Sequence, residues 1–204
     1  MPLTTIQLED VLNHPEYISI HQMPGILLDL RYASADNFIG HKLYGDFDGG
    51  LLHRQAASQL ARAASILQEE RPGWRLRVLD ALRPGRVQRL LWERVKGTPQ
   101  HIYVADPARG SIHSFGMAVD VTLEDEHGQE QDMGTRFDDF SLLAQPAQER
   151  QMLQAGLLTQ PQLQRRLLLR ACMQQAGFHG IASEWWHFEA ADSGWIRANM
   201  LLVE

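Results

Sequence analysis

Cysteine and positive charge are both scarce in this chain. Its 204 residues include one cysteine, Cys172, so no disulfide can close within it and a reducing, cytoplasmic setting is expected. Lys and Arg total 19 against 25 Asp and Glu, a formal net charge of −6, and no basic stripe is present. Nucleic acid is therefore not an expected partner. No apolar run reaches the roughly 18 residues that suggest a membrane span. The opening residues are acidic early and lack a basic start before an apolar stretch, so they do not read as a secretory leader. Repeats and low-complexity segments are missing too. What remains is 44% hydrophobic and 22% charged, ordinary for a soluble globular protein. The length suits one well-cored domain, residues 1–204.

Periodicity supplies the elements. Ala57, Leu60, Ala61, Ala64 and Leu67 recur at three- and four-residue steps, which predicts a helix over 54–70. A second helix is expected over 161–178, stopped by Gly177, with Cys172 inside it as a buried, inert thiol. A third follows the "RPG" after Leu82. Strands are expected at 25–32, 74–82 and 118–123, and at the end of "SEWWHFEA". In the second of these, Leu76, Val78 and Asp80 fall on one face. The glycine-rich loop after Tyr32 reads as ordered by its aromatics, and 125–134 as a hairpin-like excursion. Helices and strands mix without regular alternation, so the expected class is α+β.

The chemistry concentrates in two places. "SIHSFGMAVD" sets His113 and Asp120 seven residues apart, and Val119, Val121 and Leu123 take one face of the following strand. Asp120 then projects from the other face, and His113 can join it only if the chain bends near Gly116. "SEWWHFEA" sets Glu184 three residues before His187, with Trp185 and Trp186 between them. Each cluster alone is open to a bland reading, a salt-bridged pair in the first and core tryptophans beside a surface His–Glu pair in the second. Together they form the inventory of a zinc hydrolase. Catalytic zinc takes three N or O ligands and leaves a position for water, and a nearby carboxylate can take that water's proton. On this reading His113, Asp120 and His187 are ligands and Glu184 is the base. Two imidazoles argue against an all-oxygen calcium or magnesium site. The other histidines have no partners at ligand spacing and read as surface or structural.

The order of motifs extends this. "DLRYASADNFIG", "DALRPGR", "SIHSFGMAVD", "MGTRFDDF" and "EWWHF" run through most of the chain. In that order they resemble the zinc-dependent D-Ala-D-Ala peptidases, and more narrowly the D-alanyl-D-alanine dipeptidases of the vancomycin-resistance type. The resemblance implies a compact α+β domain with a central antiparallel sheet flanked by helices and one zinc per chain in a cleft at the sheet. It implies His113, Asp120 and His187 as ligands and Glu184 as the catalytic base. It also implies Arg83 as the group that stabilises the transition state, and Tyr32 and Asp138 beside the substrate's amino end. The implied reaction is hydrolysis of the small dipeptide D-Ala-D-Ala to two D-alanines by a zinc-activated water. The sequence departs from the family pattern at Leu82, where an aromatic is usual, and at Ile112, where a polar residue is usual. It departs again after Asp138, where "DFSLLAQPAQERQM" lacks a basic, His-containing stretch. The rival readings are a peptidoglycan D,D-carboxypeptidase or endopeptidase, and a zinc-stabilised binding domain without catalysis.

Overall fold

The protein is described by a computed structural model over residues 3–204. In chain order the first half runs β1 (Thr5–Ile6), α1 (Leu8–Val11), β2 (Tyr17–Ser19), β3 (Ile26–Leu28), β4 (Leu51–His53), α2 (Arg54–Glu70), β5 (Arg75–Asp80) and α3 (Gly85–Val95). The second half runs β6 (Ala118–Glu124), α4 (Glu149–Gln154), α5 (Gln160–Gln175), β7 (His179–Gly180), β8 (His187–Glu189), α6 (Ser193–Asn199) and β9 (Leu202–Val203). No helix among the described residues is long and apolar enough to cross a membrane.

The long helices form where their periodicity places them, and local chemistry ends them. His53 caps α2, its ring accepting the Gln55 N–H. Thr159 and Gln162 close a capping box on α5. Gly177 follows α5 at φ +102°, a left-handed position that glycine fills without strain.

The main sheet has the order β3-β5-β6-β8-β7. It is mixed, where an antiparallel sheet was expected: β5, β6, β8 and β7 pair antiparallel, but β3 runs parallel to β5. The reason is the connection. β4 and the 17-residue α2 intervene, so the chain returns along the direction in which it left. Helices α2 and α5 cover one face, packing Leu60, Leu67, Leu169 and Met173 with Leu76, Val78, Val119, Val121 and Leu123. A second apolar cluster gathers Tyr32, Tyr44, Phe47, Leu82, Val87 and Leu91. It orders the glycine-rich loop through its aromatics, with only one short 3-10 turn at Arg31–Ala33.

One detail of the sheet decides the site. Val78 pairs with Val121, but the next partner of Asp120 is Asp80, so β5 carries one extra residue at this point. Such a bulge reverses the alternation beyond it. Asp80 therefore leaves the core face of Leu76 and Val78, where simple alternation puts it, and shares the face of Asp120.

Candidate metal centre and cleft

The bend that His113 needs is present. Ile112–Phe115 forms a 3-10 turn, and Gly116 ends it at φ +67°. A Cβ at Gly116 would lie 2.9 Å from the His53 nitrogen, so this turn is closed to larger residues. The turn places His113 beside Asp120 on β6, and β8 pairs His187 directly with Asp120. Three buried side chains from three separate elements thus converge.

Their atoms form a nearly regular triangle. His187 Nδ1 lies 3.0 Å from Asp120 Oδ1, His113 Nε2 lies 3.3 Å from the same oxygen, and the two ring nitrogens are 3.1 Å apart. A tetrahedral ion with ligand arms of about 2.0–2.1 Å needs ligand separations of about 3.3 Å. The acceptors behind the triangle favour one tautomer of each ring when a cation is bound. His113 Nδ1 sits 2.9 Å from the Ala81 carbonyl and donates to it, which leaves Nε2 as a lone pair. His187 Nε2 sits 3.4 Å from Glu189 Oε1 and donates there, which leaves Nδ1 as a lone pair. This is how metal-bound histidines are usually oriented from behind. Two lone pairs and a carboxylate oxygen then face one another, an arrangement stable only around a cation or a shared proton. Without a metal the proton takes that role. Burial opposes the charged ring of His187, yet the bonds to Asp120 and Glu189 outweigh it and raise its pKa to about 10. Burial likewise opposes ionised Asp120, but His113 and His187 hold it well below the usual carboxylate range. The donor set fits a divalent ion that accepts nitrogen, zinc above calcium or magnesium.

The triangle opens into a cleft of about 220 Å³, also lined by Glu184, Arg83, Tyr32 and Asp138. That is smaller than the roughly 300–1,000 Å³ of pockets for drug-sized ligands. Its walls come from both apolar clusters, with Ile112 and Trp186 from one and Tyr32 and Leu91 from the other.

Glu184 borders the cleft outside the triangle. Desolvation lifts its carboxyl to about 7; His187 and Arg83 oppose the shift, and Asp120 and Glu189 reinforce it. Trp185 and Trp186 beside it are both buried.

Arg83 is not a surface arginine; it is 8% exposed. Its Nε donates to Asp80 Oδ2 at 2.8 Å, Nη2 reaches the same oxygen at 2.7 Å, and Nη1 donates to Gln88 Oε1 at 3.0 Å. Its guanidinium carbon lies 4.8 Å from the Tyr32 ring centroid, and Nη2 lies 3.6 Å from Asp120. It is pinned on every side and still borders the cleft.

Asp138 is the one residue other than glycine at positive φ among those described, at +59°. Such strain persists only where the surroundings impose it. The Tyr32 hydroxyl donates to its carboxylate, with oxygens at 3.0 and 3.1 Å. Burial raises the Asp138 pKa well above the usual carboxylate range, against the pull of Arg83. The neighbouring Asp139 caps the following turn, accepting the Ser141 N–H at 2.8 Å.

Sequence reasoning missed the supports. Asp80 holds Arg83, stands 3.5 Å from His113 Nδ1 and accepts from the Tyr44 hydroxyl; the bulge concealed it. Glu189 behind His187 was legible from period 2 along the strand, two residues on.

A family model described as D-ala-D-ala dipeptidase matches residues 16–201. The chain is 41% identical over 166 residues to the D-alanyl-D-alanine dipeptidase of Escherichia coli (strain K12), covering 81% of this chain and 79% of that protein. Against the D-alanyl-D-alanine dipeptidase of Enterococcus faecium it is 27% identical over 192 residues, covering 82% and 87%. A solved LD-carboxypeptidase structure matches with a TM-score of 0.45 at 13% identity, over 91% of this chain and 74% of that one. The family match takes in every cleft residue from Tyr32 to His187, and this chain belongs to the D-Ala-D-Ala dipeptidase family of peptidases.

Proposed function

We propose that the chain, acting as one domain over residues 1–204, is a zinc-dependent dipeptidase that splits D-Ala-D-Ala into two D-alanines. Family membership and the named activity of its relatives support the substrate. The observation that carries the reading is the triangle of His113 Nε2, Asp120 Oδ1 and His187 Nδ1, three acceptors turned toward one point.

His113, Asp120 and His187 would hold the zinc, which when bound would supply a Lewis acid to polarise a peptide carbonyl and acidify a water. The protein's own groups do the rest. Glu184 takes a proton from the attacking water and passes it to the leaving amine. Burial favours the protonated form of this carboxyl, which suits a group that must accept a proton and then pass it on. Arg83, immobilised by Asp80 and Gln88, donates to the oxyanion that develops at the scissile carbonyl. Preorganised donors of this kind contribute about 3–4 kcal/mol. Asp138, with Tyr32 behind it, takes the substrate ammonium. Asp138 lies buried, and Arg83, the positive group that pulls on it, is already bound to Asp80, so an ammonium arriving there is favoured over a neutral amide.

The test is to assay zinc-loaded protein against free D-Ala-D-Ala, its L,L isomer and a stem pentapeptide. Turnover confined to the free D,D dipeptide is the expected result. Comparable turnover of the stem peptide would make the protein a D,D-carboxypeptidase, and zinc binding with no turnover would make it a binding domain.

A further inference from the structure

Arg197 has no part in the scheme above, yet its side chain borders the same cleft as His187, Glu184 and Asp138. It stands on α6, which packs against the turn carrying His113. Its guanidinium is half-buried and held by main chain. Nε donates to the carbonyls of Arg109 at 3.0 Å and Gly110 at 3.2 Å, and Nη1 donates to that of Ser193 at 3.3 Å. These bonds fix the direction of the fork without neutralising its charge. The nearby carboxylate of Glu189 is committed to His187.

Most of the other arginines withdrawn from solvent are different. Arg31, Arg77, Arg83 and Arg166 each pair with at least one carboxylate. Among the described residues only Arg165 and Arg197 are drawn inward with no carboxylate at ion-pair distance; Arg165 donates to the Asp132 carbonyl away from the cleft, and Arg197 borders it. Burial, and after it the like charge of Arg109, lowers its pKa against the pull of Glu189 and Asp192. A cation in a cleft wall with no carboxylate bonded to it can receive an anion that arrives with the ligand.

We propose that Arg197 receives the free C-terminal carboxylate of the dipeptide and so makes the enzyme selective for an unblocked carboxyl end. This rests on the dipeptidase reading above. A zwitterionic dipeptide has an ammonium at one end and a carboxylate at the other. The cleft offers a buried acid, Asp138, and a cation with no carboxylate bonded to it, Arg197. The planar guanidinium matches a carboxylate in a two-point contact that a neutral amide cannot reproduce. An amide would leave the charge of Arg197 unanswered, which is how polar sites reject such analogues.

The test compares free D-Ala-D-Ala with its C-terminal amide on zinc-loaded wild type, Arg197→Gln and Arg197→Lys. Wild type is expected to favour the free acid by about a hundredfold in kcat/KM. Arg197→Gln should lose most of that preference by raising KM for the free acid, with the amide changed by less than about threefold; Arg197→Lys should restore part of it. Equal losses on both substrates would overturn the proposal, because Arg197 would then only clamp the Arg109–Gly110 segment to α6. A wild type that hydrolyses amide and acid equally well would overturn it without any variant, even if Arg197→Gln fails to fold. Wild type idle on both substrates would overturn the dipeptidase reading, and this assignment with it.

Discussion

Two ends of one strand face carry buried charge in opposite ways. Asp120 and Glu124 lie on the same face of β6, four residues apart, and both are almost fully buried. Glu124 meets Arg75 and Arg77 from the neighbouring strand, and Arg77 in turn reaches Asp29 at 2.9 Å. There each acid has its guanidinium, and nothing further is needed. Asp120 meets two imidazole lone pairs, and its one guanidinium, Arg83, stands 3.6 Å away and is bound to Asp80. Burial alone does not mark a site. What separates the two ends is that one network is closed by the chain and the other is closed only by something added to it.

That contrast can be broken at either end. The largest effect is expected at Glu184, the proposed base, which stands outside the ligand triangle. Glu184→Gln should lower kcat by about a thousandfold while the melting temperature stays within a few degrees, as stopped assays and calorimetry would show. A loss below tenfold would remove Glu184 from the role of base. Next comes Asp138. Asp138→Asn should lower kcat/KM on free D-Ala-D-Ala by about a hundredfold and barely change hydrolysis of the N-acetylated dipeptide. Equal losses on both would leave Asp138 as a structural residue.

Much of this site was legible because its motifs carry their own geometry. His113, Gly116 and Asp120 specify a bend into a strand, and Glu184 and His187 bracket two tryptophans at a strand entry. Helices α2 and α5 were legible through apolar residues at helical spacing. Asp80 was not, because a period-2 reading assumes an unbroken strand and the extra residue in β5 reverses it. The parallel pairing of β3 depends on where a long crossover returns, which no local pattern records. Strands of two or three residues such as β1, β7 and β9 are too short to show a period at all. Arg197 was invisible as well, since its meaning lies in the absence of a partner in space.

The smallest effect on catalysis is expected at the closed end. Glu124→Ala leaves two guanidinium groups without their buried partner, so it should destabilise the fold by about 3 kcal/mol in denaturant titration. Activity per folded molecule should remain within about threefold of wild type. A tenfold loss of activity at unchanged stability would mean that the two networks are coupled along β6.

The central claim is that His113, Asp120 and His187 form a ligand set that a cation completes. Metal analysis of purified protein, run side by side on wild type, His187→Ala and Glu184→Gln, tests it most directly. The account predicts one zinc per chain in wild type and in Glu184→Gln, and less than about a tenth of that in His187→Ala. Full zinc in His187→Ala, or its loss from Glu184→Gln, would contradict it.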